Sequence, residues 1–455
     1  MKVTKFGGTS LASADQIKKV FNIVISDLER KIVVVSAPGK RFINDIKVTD
    51  LLINYAEKYS ILANADIELN LVLDRYREIS TDLELSKELI EEFINDLKTT
   101  LINHNFNNGT LIEKIKSVGE DYCAKMIAYF FQSKGIKAQY INPKDAGLYL
   151  TNKSGYVQVL PETYHNLSKL KDCDHIIVFP GFFGYSLEGE IITFSRGGSD
   201  ITGSILAAAV NAEVYENFTD VDSVFVVDPN IVSNPLPIKE LTYKEMRELS
   251  YSGFCVFNEE ALMPAYMSRI PVNIKNTNNS ELPGTKIVLD RDALKEPVIG
   301  IASDSGFCSI YVSKYLMNRE IGFGRKLLKI LEDENLSYEH TPSGIDNISI
   351  ILRERQLTED IEMRIIDRIK NELKVDDIAI KKSLALIMLV GEGMRHTIGL
   401  AAKATKALSD AKVNIEMINQ GSSEVSMMFG IKKIDEEKAI KALYNEFFVL
   451  NRDWW

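Results

Sequence analysis

Cysteine is scarce in this sequence and poorly placed for chemistry. Four occur among 455 residues, Cys123, Cys173, Cys255 and Cys308, and none forms a C-x-x-C pair or has companion histidines. Neither a zinc site nor a disulfide framework is expected, and a reducing compartment suits the pattern. Long apolar runs are also missing. No stretch approaches the roughly 20 apolar residues of a membrane span, and Lys2 to Phe6 enters a strand pattern with no apolar leader before it. The expectation is a cytoplasmic protein without a membrane partner. Positive charge is not in excess either: the formal net charge of −10 argues against nucleic acid as a partner, because phosphate backbones require clustered cations. What remains is an ordinary globular composition, 45% apolar and 26% charged, in a chain long enough for about two to four domains.

Through residue 290 short β-branched runs alternate with longer amphipathic stretches, the pattern of an α/β fold whose open, mostly parallel sheet is sandwiched by helices. Lys31 to Val35, Ile176 to Phe179 and Ile191 to Phe194 read as buried strands, and Glu213 to Phe218 as another strand. After the first strand Ser13 and Gln16 form a capping box, with Ile17, Val20, Phe21 and Val24 at helical spacing behind it. Residues 67–116 are charged, helical in pattern and nearly free of Gly and Pro; they read as a helical insertion covering one edge of the sheet. Asn276 to Gly284 marks a boundary. Beyond it the chain repeats itself at an offset of 77 residues: Gly322 matches Gly399, Leu331 matches Leu408, Gly344 matches Gly421 and Ser349 matches Ser426. Each copy reads as a small α+β unit. Domains are therefore expected over 1–290, 300–375 and 378–455, with the strand near 296–304 open to assignment to the last.

Three loops in the first 290 residues carry chemistry. In Lys5-Phe6-Gly7-Gly8-Thr9-Ser10 the lysine precedes the glycines, which is not the spacing of a Walker A loop. Adjacent glycines still let backbone N–H groups approach a phosphate, and the helix that follows adds the partial positive charge of its N-terminus. Ser36-Ala37-Pro38-Gly39-Lys40 follows the second strand, and Ser195-Arg196-Gly197-Gly198-Ser199-Asp200 a third. In an open parallel sheet such loops meet in the crevice outside the strand ends, where ligands bind. Arg196 offers a bidentate fork for a carboxylate while Gly197 and Gly198 keep the approach open. Thr219-Asp220-Val221-Asp222 and Asp228-Pro229 add polar groups after the next strand, although turn formation alone would explain them equally well. In an acidic chain Lys5, Lys40, Arg41 and Arg196 are the cations available to reverse the field around an anionic ligand.

These motifs, in this order and together with Lys47-Val48-Thr49-Asp50, Gly119-Glu120 and Gly181-Phe182, resemble the landmarks of the aspartokinases of the amino-acid kinase superfamily. The resemblance covers essentially the whole chain and is nearest to the monofunctional, lysine-sensitive type. It implies transfer of the γ-phosphoryl group of ATP, with Mg²⁺, to the β-carboxylate of L-aspartate, giving 4-phospho-L-aspartate on the route to lysine, threonine and methionine. It implies that Ser36, Thr49, Glu120, Phe182, Arg196 and Ser199 hold aspartate, with Glu120 on the ammonium and Arg196 on the α-carboxylate. Lys5 and Asp200 become the catalytic pair, Lys5 bridging the transferring group and Asp200 orienting Lys5 or helping to place the metal. Gly7, Gly8, Thr9, Ser10, Thr219, Asp220, Phe225 and Asp228 become the nucleotide set. No general base is needed, because the β-carboxylate has a pKa of about 4 and is already a nucleophile; alignment and charge neutralisation carry the reaction. Phe225 and Cys255 depart from the tyrosine and lysine that relatives carry against the nucleotide.

The repeat from Phe307 to Phe448 resembles a pair of ACT domains. The resemblance implies an effector site for lysine, threonine or both, built from Met317, Glu320, Gly322, Phe323, Gly324, Tyr338, Glu339 and Ser343, with Glu320 or Glu339 on a lysine ammonium. It also implies a homodimer or dimer of dimers through these units. Met427, Met428 and Phe429 fit a buried strand better than a ligand site. Two rival readings stand beside this one. Another kinase of the superfamily, acting on an acceptor such as glutamate, would keep the glycine loops but does not predict the ACT-like pair. A non-catalytic amino-acid sensor with a decayed kinase domain is opposed by Lys5, Arg196 and Asp200.

Overall fold

The computed structural model describes residues 1–62, 64–102, 111–153, 156–195, 197–254, 259–420 and 425–450. The chain divides into two compact units: the described residues of 1–224, 237–246 and 255–291, and those of 225–236, 247–254 and 292–455.

In the first unit eight strands form one sheet in the order Glu240–Thr242, Thr285–Val288, Val272–Asn276, Val214–Thr219, Lys2–Phe6, Arg30–Val35, Ile176–Pro180, Ala138–Tyr140. Neighbours run parallel except for Val272–Asn276 against Thr285–Val288. Ile32, Val33, Val34 and Val35 are completely buried, as a parallel strand covered on both faces requires. Successive residues then point to opposite faces. Phe6, Val33, Val35 and Phe218 join the core formed by the helices Ala14–Ile25, Val48–Leu62, Asp66–Asp82, Lys87–Ile102 and Leu111–Ser133. Lys5 and its register partner Asn217 turn to the other face, toward helix Gly198–Val210.

Local differences from the sequence reading have physical causes. Helical structure already begins at Val48, and the helices Asp66–Asp82 and Lys87–Ile102 pack on other helices of that layer. Only half of the capping box forms: Ser13 Oγ accepts the Gln16 N–H, while the Gln16 side chain donates to Asn278. Ile191–Thr193 is not a buried strand of the parallel sheet. It is half-buried and pairs antiparallel with Phe183–Tyr185, because Ser186 accepts the N–H groups of Glu188 and Glu190 and turns the chain back at once.

The second unit holds a five-stranded antiparallel sheet in the order Asn347–Arg353, Gly300–Ser313, Asp377–Val390, Ser426–Lys432, Ile415–Gln420. Its two long strands have 14 residues each, and each breaks register near its middle, where Gly306 (φ 87°) and Ser383 (φ 59°) take the left-handed conformation. The halves after Gly306 and before Ser383 belong with helices Phe323–Asp333 and Glu359–Leu373, whose core contains Ile310, Leu327, Ile350 and Ile369. The other halves pair with one another and, on one side, with Ser426–Lys432. The internal repeat is visible in the backbone: helices Phe323–Asp333 and Leu400–Asp410 lie 77 residues apart, each behind a left-handed glycine, Gly322 (φ 81°) and Gly399 (φ 90°). The strands Asn347–Arg353 and Ser426–Lys432 are 79 apart, so the copies slip by two residues between helix and strand.

A buried ion pair crosses the first sheet. Arg30 grips Glu216 bidentately, Nε to Oε2 at 2.7 Å and Nη2 to Oε1 at 3.1 Å, and its remaining nitrogen donates to Ile23 O at 2.5 Å and Ser26 Oγ at 3.0 Å. The pair straddles the strand Lys2–Phe6 and ties the C-terminal end of the first helix to it. Removing one member strands a buried charge. Glu216→Ala is expected to lower the stability of the first unit by about 3–5 kcal/mol, read from urea unfolding; a loss below about 1 kcal/mol would show the pair to be dispensable.

Candidate active site

The glycine loops meet because their backbones must touch. Gly39 N–H donates to Gly8 O at 2.8 Å, and a Cβ on Gly39 would stand 2.5 Å from the Gly8 carbonyl carbon. Gly181 N–H donates to Val35 O at 2.9 Å, and a Cβ there would come within 2.6 Å of Ser199 Cβ. Next to it Phe182 adopts φ 76°, a left-handed conformation costing about 1–2 kcal/mol for a residue with a Cβ. Two hydrogen bonds hold it, Phe182 N–H to Thr202 Oγ1 at 3.1 Å and Phe194 N–H to Phe182 O at 2.8 Å.

Lys5 rises from the end of the first strand to Asp200, in the first turn of helix Gly198–Val210, with Nζ 2.6 Å from Oδ1. Both face a cleft of about 1230 Å³ lined also by Ser36, Thr49, Glu120, Phe182 and Ser199. The structure therefore brings together Lys5, Asp200 and the expected aspartate residues other than Arg196, which lies outside the described residues. Lys47 and Lys116 line the same cleft and were missed; Lys47 stands two positions from Thr49, a proximity that could have flagged it. Arg41, by contrast, is bound to Asp45 and Glu78.

Glu120 is the distinctive group. It is buried, Ala37 N–H supports it, and its Oε2 has no hydrogen-bond partner. Loss of water pushes its carboxyl up to about 8, with the Ala37 N–H and the charge of Lys47 pulling in the opposite direction. A buried carboxylate with an open oxygen on a cleft is the complement of an ammonium group.

Of the expected nucleotide set, Gly7, Ser10 and Thr219 are joined at neighbouring strand ends, Thr219 through its carbonyl, which accepts the Thr277 N–H at 3.0 Å. Gly7 N–H donates to Phe218 O at 3.1 Å; Ser10 is buried with its hydroxyl 2.6 Å from that of Thr277. Thr219 Oγ1 donates to Asp220 Oδ1 at 3.2 Å. Gly8 and Thr9 lie in the loop against Gly39. Phe225 and Asp228 group with the second unit, where Asp228 Oδ1 accepts the Asn230 N–H at 2.8 Å in a turn. Cys255 lies outside the described residues.

The expected effector set divides by burial and by partner. Met317 and Phe323 are buried in the core of the first repeat, while Gly322 and Gly324 have open space where a Cβ would stand. Glu320 is bound by Lys314 at 2.5 Å and Lys326 at 2.8 Å, which together hold its carboxyl down at about 2. Glu339 accepts from Arg353 at 3.4 Å and from the Tyr251 hydroxyl. Tyr338 is exposed, and Ser343 lines a cavity of about 590 Å³ on the sheet with Lys381 and Glu416. Gly421, Ser422, Ser423 and Glu424 lie outside the described residues.

Residues 1–276 match the amino acid kinase family and residues 387–447 an ACT domain. Aspartokinase 3 of Bacillus subtilis is 58% identical over 448 residues, 98% of this chain and 99% of the relative. This chain belongs to the aspartokinase family. Aspartate kinase of Clostridium acetobutylicum superposes with a TM-score of 0.87 at 39% identity, over 98% of this chain and 100% of that one. Escherichia coli aspartokinase III, in complex with aspartate and ADP, shares the fold at a TM-score of 0.74 and 23% identity, over 98% of this chain and 100% of that one. As an aspartokinase the protein is a phosphotransferase whose acceptor is aspartate, and no described helix is long and apolar enough to cross a membrane.

The raised carboxyl makes the pairing of any ammonium group with Glu120 pH-dependent. Glu120 sits at about 8, against an ordinary 4.5, so the free enzyme holds its proton below that pH whereas an ammonium partner requires the anion. Apparent affinity for aspartate is expected to rise with pH, by up to about tenfold per unit below pH 8, and then to level. Glu120→Gln should weaken binding and flatten the profile; a wild-type KM for aspartate that stays constant from about pH 6 to about pH 8 would overturn the assignment.

Proposed function

We propose that the cleft of the first unit positions L-aspartate with its ammonium on Glu120 and its β-carboxylate toward a γ-phosphoryl group of ATP held at Lys5. The observation that carries this reading is the unpartnered, buried Glu120 oxygen in the same cleft as the Lys5–Asp200 pair. Ser36, Thr49 and Ser199 supply hydroxyls around the substrate, and the Arg196 motif supplies the fork for the α-carboxylate. The acceptor is already ionised at neutral pH, so the protein aligns two anions and offsets their charge. Lys5 stands where that charge develops. Among the described residues no three His, Cys, Asp or Glu side chains cluster to hold a metal. Mg²⁺ would enter with the nucleotide phosphates, and Asp200 is the carboxylate beside Lys5 that would help to hold it. When bound, the ion would neutralise phosphate charge.

The second unit is read as a feedback sensor for lysine, with threonine as the second candidate, acting in a homodimer or dimer of dimers. The ACT match and the repeated helix N-termini behind Gly322 and Gly399 support it, as does an E. coli aspartokinase III structure in complex with lysine and aspartate, of the same fold. Because Glu320 is already bound by Lys314 and Lys326, a lysine ammonium would have to displace one of them. Feedback then requires only that the effector bind the inactive arrangement more tightly. Lysine biosynthesis is the pathway this control would serve.

The test is ADP production with Mg-ATP and aspartate, the product trapped by hydroxylamine as the hydroxamate, with and without lysine or threonine. Lys5→Met is expected to lose on the order of 10³-fold in kcat while aspartate still binds; retained turnover removes Lys5 from the reaction. Lysine-dependent thermal stabilisation without any turnover would favour the sensor reading.

A further inference from the structure

A lysine at a strand end has four rotatable bonds, and one ion pair fixes its distance to a partner without fixing its direction. The partner itself must therefore be held. Asp200 is held twice, from the strand beside Lys5. Asn217 is the register partner of Lys5 on Val214–Thr219 and is only 3% exposed. Its Nδ2 donates to Asp200 Oδ1 at 2.7 Å, the same oxygen that Lys5 Nζ approaches at 2.6 Å. Two residues earlier on the same face, the fully buried Tyr215 donates its hydroxyl to the Asp200 carbonyl at 3.2 Å. Its ring lies so close to the helix that a Cβ on Gly203 would come within 2.5 Å of the hydroxyl oxygen. The strand thus clamps both the backbone and the side chain of Asp200.

We propose that Asn217 is a positioning residue for phosphoryl transfer, acting through Asp200 on Lys5; the proposal rests on the roles given above to those two residues. The amide suits the task because it is neutral. It directs the carboxylate without adding charge that would oppose or cancel the field of the Lys5 ammonium at the transferring group. A buried amide is also costly to leave unpaired, so the Asn217–Asp200 contact is a strong local constraint. Without it Asp200 is free to turn, Lys5 follows its partner, and the ammonium leaves the line between donor and acceptor while the aspartate pocket around Glu120 is untouched.

The expected signature is a loss in kcat with binding kept. Asn217→Leu, similar in size but without a donor, should lower kcat about 10- to 100-fold, with KM for aspartate and for ATP changed less than about threefold. Asn217→Ala provides the same reading should the leucine variant fold poorly. Asn217→Leu combined with Asp200→Asn should be no slower than Asp200→Asn alone, because residues acting as one unit are not additive. Unchanged kcat in a folded Asn217→Leu or Asn217→Ala enzyme, or a double variant slower by the full product of the single effects, overturns the proposal. Turnover retained by Lys5→Met or Asp200→Asn is a separate outcome, since it removes the roles on which the proposal stands.

Discussion

In the proposed reaction one ammonium group, at the end of the first strand, sets the terms for the first unit. In a chain with a formal net charge of −10, an anionic nucleotide and an anionic acceptor are brought together against the overall field. The protein answers locally, with Lys5 largely buried and its partner Asp200 fixed at the start of a helix. Much of the surrounding architecture serves that placement. The central strands are buried on both faces, the glycine loops touch backbone to backbone, and the helix Gly198–Val210 is built of small residues that let it approach the sheet.

The framework was largely legible in the sequence. Runs such as Ile32 to Val35 are buried strands because nothing else suits four consecutive β-branched residues in a short run. Glycines at strand ends marked the crevice because only they allow such close approach. Ile191 to Phe194 shows the limit: three apolar residues satisfy a hairpin arm as well as a central strand, and the deciding contact is a hydroxyl at Ser186 turning the chain back. Asn217 and Tyr215 were invisible for a related reason. Their meaning lies in Asp200, on a different element, and no local pattern announces a pairing made across strand and helix.

The residues expected at the effector site show the converse, in which residue type is legible and partnership is not. Glu320 or Glu339 was expected to meet an external ammonium, and the chain supplies cations of its own to each, Lys314 and Lys326 to one, Arg353 to the other. An occupied carboxylate can still exchange partners, but it does so as a competition between ammonium groups and not as a vacancy being filled. Glu120 is the opposite case: buried, short of a hydrogen-bond partner and charged only at a cost. Burial and partnership, neither of which a sequence prints, separate the two kinds of acid.

The two 14-residue strands of the second unit have a consequence for how such a chain can be cut. Each passes from one repeat into the other, so the second repeat takes its flanking strand, residues 300–305, from chain that precedes the first. A break in the sequence pattern is therefore not a break in space. A fragment beginning near residue 378 would carry the later helices and the strands Ile415–Gln420 and Ser426–Lys432 but would expose the backbone edge of Ala385–Val390 that Gly300–Ser305 normally pairs. Grafting or deleting one repeat without its neighbour would turn an internal seam into an open, sticky edge.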